Sequence, residues 1–120
     1  MEKFYYRKLQ VYQNAKQLAI DTNEILKRFP VEERFALSSQ LRRASTSVMF
    51  NIAECFGRYT NKDRIRFLDI ANGSLMETSS ELELAESYGY MSLDELNVFD
   101  DKIVVIVKQI AKLRSTLETA

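Results

Sequence analysis

Apolar and small residues recur along the chain in four runs, each with the alternating three- and four-residue spacing of a bundle helix. In the first run, Val11, Ala15, Leu18, Thr22, Ile25 and Phe29 follow at intervals of 4, 3, 4, 3 and 4. The pattern predicts a helix from about Lys8 to Arg28, stopped by Pro30, because the residue before a proline is pushed out of the α region. Leu37, Leu41, Ala44, Val48 and Ile52 form the second stripe, on a helix predicted from about Ala36 to Phe56 with Gly57 as its C-cap. The third stripe is Leu68, Ala71, Leu75, Thr78, Leu82 and Ala85, on a helix predicted from about Lys62 to Tyr88. Thr60 or Asn61 can cap it, and Gly89 stands where a left-handed terminator belongs. Leu96, Phe99, Ile103, Ile106, Ile110, Leu113 and Leu117 form the fourth and clearest stripe. Ser92-Leu93-Asp94-Glu95 opens it as a capping box. Val104 to Val107 looks strand-like locally, but the box and the seven-membered stripe outweigh it.

The links are short, so neighbouring helices run antiparallel. The expected fold is all-α: an up-down-up-down four-helix bundle, with residues 1–120 as one domain. Helices of ~25 residues would be ~38 Å long. Gly73 falls inside the third helix, where it costs ~1 kcal/mol relative to alanine. A close helix–helix approach that only glycine permits would account for it.

Composition narrows the picture. Three Gly and one Pro leave too few turn residues for an all-β chain. One cysteine, Cys55, excludes an internal disulfide framework and a cysteine zinc site. A reducing cytoplasmic setting is expected, with no signal peptide and no membrane span.

The net charge is zero, but it has an axis. Residues 1–60 carry 10 Lys/Arg and 6 Asp/Glu, whereas residues 61–120 carry 7 and 11. Folding the chain up and down collects Lys3, Arg7, Lys8, Arg58, Lys62, Arg64, Arg66, Lys108, Lys112 and Arg114 at one end. Helix-dipole tuning explains the charges of the fourth helix but not those of the third, whose bases lie near its start and acids near its end. Arg58, Lys62, Arg64 and Arg66 surround one turn, so they are the candidate contact for nucleic-acid phosphates or for an acidic partner.

Catalytic chemistry is sparse. The chain has no His, which excludes His-based triads, Cys–His pairs and the Glu-x-x-His di-iron pattern. No Gly-rich phosphate loop occurs. Glu77 and Glu81, one turn apart, read as an exposed acidic face rather than a cation site. Cys55 reads as a packed residue, and Asn51 and Glu54 as structural or interface residues. The chain is therefore expected to be no enzyme, with no cofactor, metal or small-molecule substrate. Surplus apolar residues outside the stripes suggest a second buried surface: Ile70, Met76 and Leu84 on the third helix, and Val98, Val104, Val105 and Val107 on the fourth.

The second helix carries a resemblance. Gln40-Leu41-Arg42-Arg43-Ala44, Ser47-Val48, Asn51-Ile52-Ala53-Glu54 and Gly57-Arg58 resemble the signature of the 23S ribosomal RNA intervening-sequence protein family. Leu9 to Ala15, Phe29 to Arg34 and Phe67 to Ser74 are similar to that family's opening helix, first link and third helix. Tyr12 stands where Trp is common, Met49 replaces a frequent Pro, and Cys55 replaces a Gly. The last two departures imply a straighter second helix. The resemblance implies a four-helix bundle assembled as a homo-oligomer, a pentameric ring, without enzymatic activity. Similar bundles act as accessory proteins of diversity-generating retroelements, where they engage reverse transcriptase and nucleic acid. Arg42, Arg43, Asn51, Glu54 and Gly73 are carried over as signature positions with a structural or interface role. The expected function is a homo-oligomeric binding module contacting RNA or DNA through its basic end. The alternative is an assembly scaffold whose arginines serve only protein contacts.

Overall fold

The computed structural model describes all 120 residues. Four long helices carry the chain: α1 (Gln10–Leu26), α2 (Leu37–Phe56), α3 (Asn61–Ser87) and α4 (Leu93–Glu118). They pack up and down in an elongated body of 46 × 25 × 24 Å. Contacts link α1 with α2, α2 with α3, α3 with α4, and α4 back to α1, and the α2–α3 contact is the most extensive. No helix is long and apolar enough to cross a membrane.

The inward stripes are those of the sequence pattern. Leu18, Leu41, Val48, Ile52, Leu68, Leu75, Leu82 and Ile106 are almost completely buried, with Ala15, Ala71 and Ala85 letting the helices close up between them. Leu113 and Leu117 are only half-buried, packed against the core from its edge. Thr78 is buried in the α3 stripe and donates its hydroxyl to the Ser74 carbonyl at 2.8 Å. Ser47 and Ser74 bond across α2 and α3 at 2.8 Å. α2 is uninterrupted at Met49 and Cys55, as the loss of proline and glycine there predicts.

Several expectations need correction. α1 begins two residues after the predicted Lys8, because Tyr5–Lys8 forms a separate 3-10 turn and Leu9 is extended. That turn is held by the Tyr6 ring against Tyr12 and by the Arg7 guanidinium over Phe4. The link after Pro30 contains a second 3-10 turn, Val31–Glu33. Gly57 caps α2 as expected, though in the right-handed region, and Gly89, at φ 82°, is the expected left-handed terminator. Gly73 does not permit a close approach within the chain: it is exposed, and a Cβ there would meet nothing within 4 Å. Glu81 is not part of an exposed acidic face: it is buried at the α2 edge of the α3 stripe.

Candidate nucleic-acid interface

The turn from α2 to α3 is built by local bonds. The Gly57 N–H donates to the Glu54 carbonyl at 2.9 Å, and the Thr60 hydroxyl accepts the Asp63 N–H at 3.1 Å. The Asn61 amide donates to the Leu117 carbonyl at 3.3 Å, fixing the turn against the end of α4. Around this frame stand the four candidate cations.

The fold gathers the three arginines but spends them largely on the chain itself. Arg58 donates to Glu54 at 2.9 Å and lies 3.8 Å from Asp63. Its guanidinium sits 4.3 Å from the centre of the Phe67 ring, and that of Arg66 sits 4.5 Å from the same ring. Arg66 also pairs with Asp63 at 3.0 Å. Arg64 donates to the Arg58 carbonyl at 2.9 Å and to the Asn61 side chain at 3.2 Å. Lys62 is exposed and has no carboxylate partner. Charge counting overlooked Asp63 and Phe67, which organise the group. The i,i+3 step from Asp63 to Arg66 was the available signal.

Other cations at this end are divided in the same way. Arg7 pairs with Glu2, and Arg114 with Asp69 and Glu118, whereas Lys3, Lys8, Lys108 and Lys112 have no ion pair. Exposed pairs of this kind contribute at most about 1 kcal/mol, so a stronger anion could displace their acids. The opposite end is held by Arg28 on Glu95, and by the Tyr90 hydroxyl donating to Glu33 at 2.8 Å. The Arg28 guanidinium holds the Glu95 carboxyl down to about 2, and the bond to Glu33 pushes the Tyr90 phenol up to about 12.

The signature positions serve different ends. Asn51 donates to the Ser47 carbonyl at 2.8 Å and to its hydroxyl at 2.9 Å, steadying the α2–α3 serine contact. Glu54 is exposed and holds Arg58, so it forms no buried pair with Asn51. Arg42 and Arg43 are exposed on α2 away from the candidate cluster, and Gly73 is exposed on α3. Cys55 is fully buried, and burial pushes its thiol up to about 11, the state of a packing residue rather than a nucleophile.

Residues 7–112 match the family model described as 23S rRNA-intervening sequence protein. The chain belongs to this family. The fold is also similar to a solved structure, a protein with unknown function from the S23 ribosomal protein family of Bacteroides thetaiotaomicron. That match has a TM-score of 0.80 at 25% identity and covers 87% of this chain and 97% of the other. Comparison with the curated proteins returns no match. Membership of the 23S rRNA-intervening sequence proteins accounts for the bundle and for the α2 signature, while the family description assigns no role to the basic turn.

Proposed function

We propose that this protein is a non-enzymatic homo-oligomeric binding module, pentameric as its family resemblance implies, that meets nucleic-acid phosphates through its basic end. The observation that carries the assembly is uncovered apolar surface. Ile70, Met76 and Leu84 on α3 and Val98, Val104 and Val105 on α4 are each 41–52% exposed, on helices whose inward faces are already filled. Several half-exposed apolar residues on outward sides of two adjacent helices point to a surface that another molecule covers.

The phosphate contact is supported by the lysines. Lys62, Lys108 and Lys112 lie toward one end without acidic partners, and repeated copies of that end would bind by avidity. Such binding carries little sequence preference and weakens steeply with salt. The in-chain partners of Arg58, Arg64 and Arg66 favour the second reading, an assembly scaffold without nucleic acid.

A titration of structured RNA or duplex DNA at low salt separates the two. The wild type is compared with a variant carrying Arg58, Lys62, Arg64 and Arg66 changed to Ala, with light scattering in parallel. The proposal expects the wild type to bind and the variant to lose most of its affinity while keeping its mass. Equal binding by both removes the basic turn from the contact. Failure of both to bind, with the variant falling to monomers, establishes the scaffold.

A further inference from the structure

Three features of α3 have no explanation within the chain, and all lie along one side of the helix, exposed except for Glu81 at its inner edge. Ile70, Gly73, Glu77, Glu81 and Leu84 follow at spacings of 3, 4, 4 and 3. Gly73 weakens an exposed helix, yet no neighbouring atom requires its missing Cβ. Glu81 is buried, but its Oε1 accepts no hydrogen bond. A buried carboxylate oxygen without a donor is costly, which favours the protonated acid. Burial and the charge of Glu77 together push the Glu81 carboxyl up to about 7, and the Arg43 charge only partly offsets them. Ile70 and Leu84 flank these positions and are exposed.

A complementary surface exists elsewhere on the same molecule. Between α1 and α2 runs a groove of about 380 Å³. Ala19, Ile20, Leu26 and Met49 give it apolar walls, Asn23, Ser45 and Thr46 add neutral polar groups, and Lys16 and Arg42 stand beside them. Neither cation has an ion pair within the chain, and neither Glu77 nor Glu81 has one. The stripe is therefore apolar with acids, and the groove is apolar with bases.

We infer that the α3 stripe of one copy seats in the α1–α2 groove of a second copy, with Gly73 at the closest approach and with Lys16 and Arg42 meeting Glu77. This contact rests on the assembly proposed above and names its surfaces. It is head-to-tail, because stripe and groove are different patches. Each copy therefore keeps one of each free for the next, and such contacts close into rings when their rotation permits.

The test uses the full chain, with mass measured by analytical ultracentrifugation and folding checked by far-UV circular dichroism. Gly73→Leu places a side chain where the isolated subunit has open space, so the subunit keeps its helical spectrum. The same holds for Arg42→Glu at an exposed position. Each is expected to weaken assembly by about tenfold or more. The double variant Arg42→Glu/Glu77→Arg restores opposite charges across the contact and regains assembly. An assembled wild type with both single variants unchanged overturns this contact and leaves the assembly reading intact. Single variants that dissociate without rescue by the double variant overturn the charge pairing. A wild type that stays monomeric at micromolar concentration overturns both proposals.

Discussion

α3 and α4 are neighbours of nearly equal length, 27 and 26 residues, yet they obey local rules to very different degrees. α4 opens with a reciprocal capping box, carries Asp94 and Glu95 in its first turn, and bears Lys108, Lys112 and Arg114 toward its end. All of these agree with the helix dipole. α3 has Lys62, Arg64 and Arg66 near its start, Glu81, Glu83 and Glu86 near its end, and a glycine in its middle. Its propensity and charge order work against it, and packing against both α2 and α4 has to compensate. A helix held between two neighbours can carry residues that a self-sufficient helix would lose, and those residues are free to serve contacts outside the chain.

The largest test of this contrast lies in the shared core. Ile106→Asp puts an unpaired charge into the most regular stripe of the molecule, where Ile106 is almost fully buried. An uncompensated buried charge costs about 3–5 kcal/mol, against a total stability of about 5–15 kcal/mol for a domain of this kind. Good local propensity in α4 does not rescue it, and the variant is expected to lose its cooperative thermal transition in circular dichroism. A melting temperature equal to that of wild type would mean that the inward face of α4 is misassigned.

The second effect distinguishes the helices by pH. The Glu81 carboxyl on α3 sits at about 7, above its ordinary value of 4.5. Between these values the folded protein holds the proton and the unfolded chain does not, so stability falls as pH rises through that window. The effect is at most about 3 kcal/mol. Glu95 on α4 sits at about 2, so its contribution has the opposite sign: present above 4.5 and lost as pH falls toward 2. Glu81→Gln should flatten the slope of urea midpoints on the near-neutral side, and Glu95→Gln the slope on the acid side. An unchanged profile in Glu81→Gln would show that its carboxyl is solvated in solution.

The same contrast decides what could be read from the sequence. The inward positions were legible because helix periodicity is a local property: stripe members from Val11 to Ile110 are buried. The capping box was legible because Ser92 and Glu95 find each other within one turn. The burial of Glu81 is masked in the sequence because it adjoins the acidic run of α3. The spacing of Ser74, Thr78, Glu81 and Ala85, at 4, 3 and 4, was the signal that it borders the core. Gly73 posed the right question, but its answer depends on what stands opposite it. The in-chain partners of Arg58, Arg64 and Arg66 were hidden for a similar reason. Net charge by segment counts cations, whereas their availability depends on rotamers around Phe67 and Asp63. The separate turn at Tyr5–Lys8 rests on ring contacts that periodicity does not encode.

The smallest effect compares the two helix starts directly. Ser92 accepts the Glu95 N–H at 3.1 Å, and Glu95 returns a bond by accepting the Ser92 N–H at 2.9 Å. Glu95 is in turn held by Arg28, so the start of α4 is tied to the end of α1. Thr60 accepts the Asp63 N–H at 3.1 Å, but no return bond reaches its own N–H, because the side chain of Asp63 is taken up by Arg66 and Arg58. Removing a side-chain cap costs ~1 kcal/mol, and loss of a reciprocal box falls toward the upper part of that range. Ser92→Ala is therefore expected to lower the urea midpoint by more than Thr60→Ala does, with circular dichroism reporting both transitions. The difference should persist at high salt, because the Ser92–Glu95 bonds reach backbone N–H groups and are screened less than an exposed ion pair. Equal losses in the two variants would mean that the reciprocal bond at α4 adds nothing to a single cap, and that the contrast between the two helices begins only after their first turns.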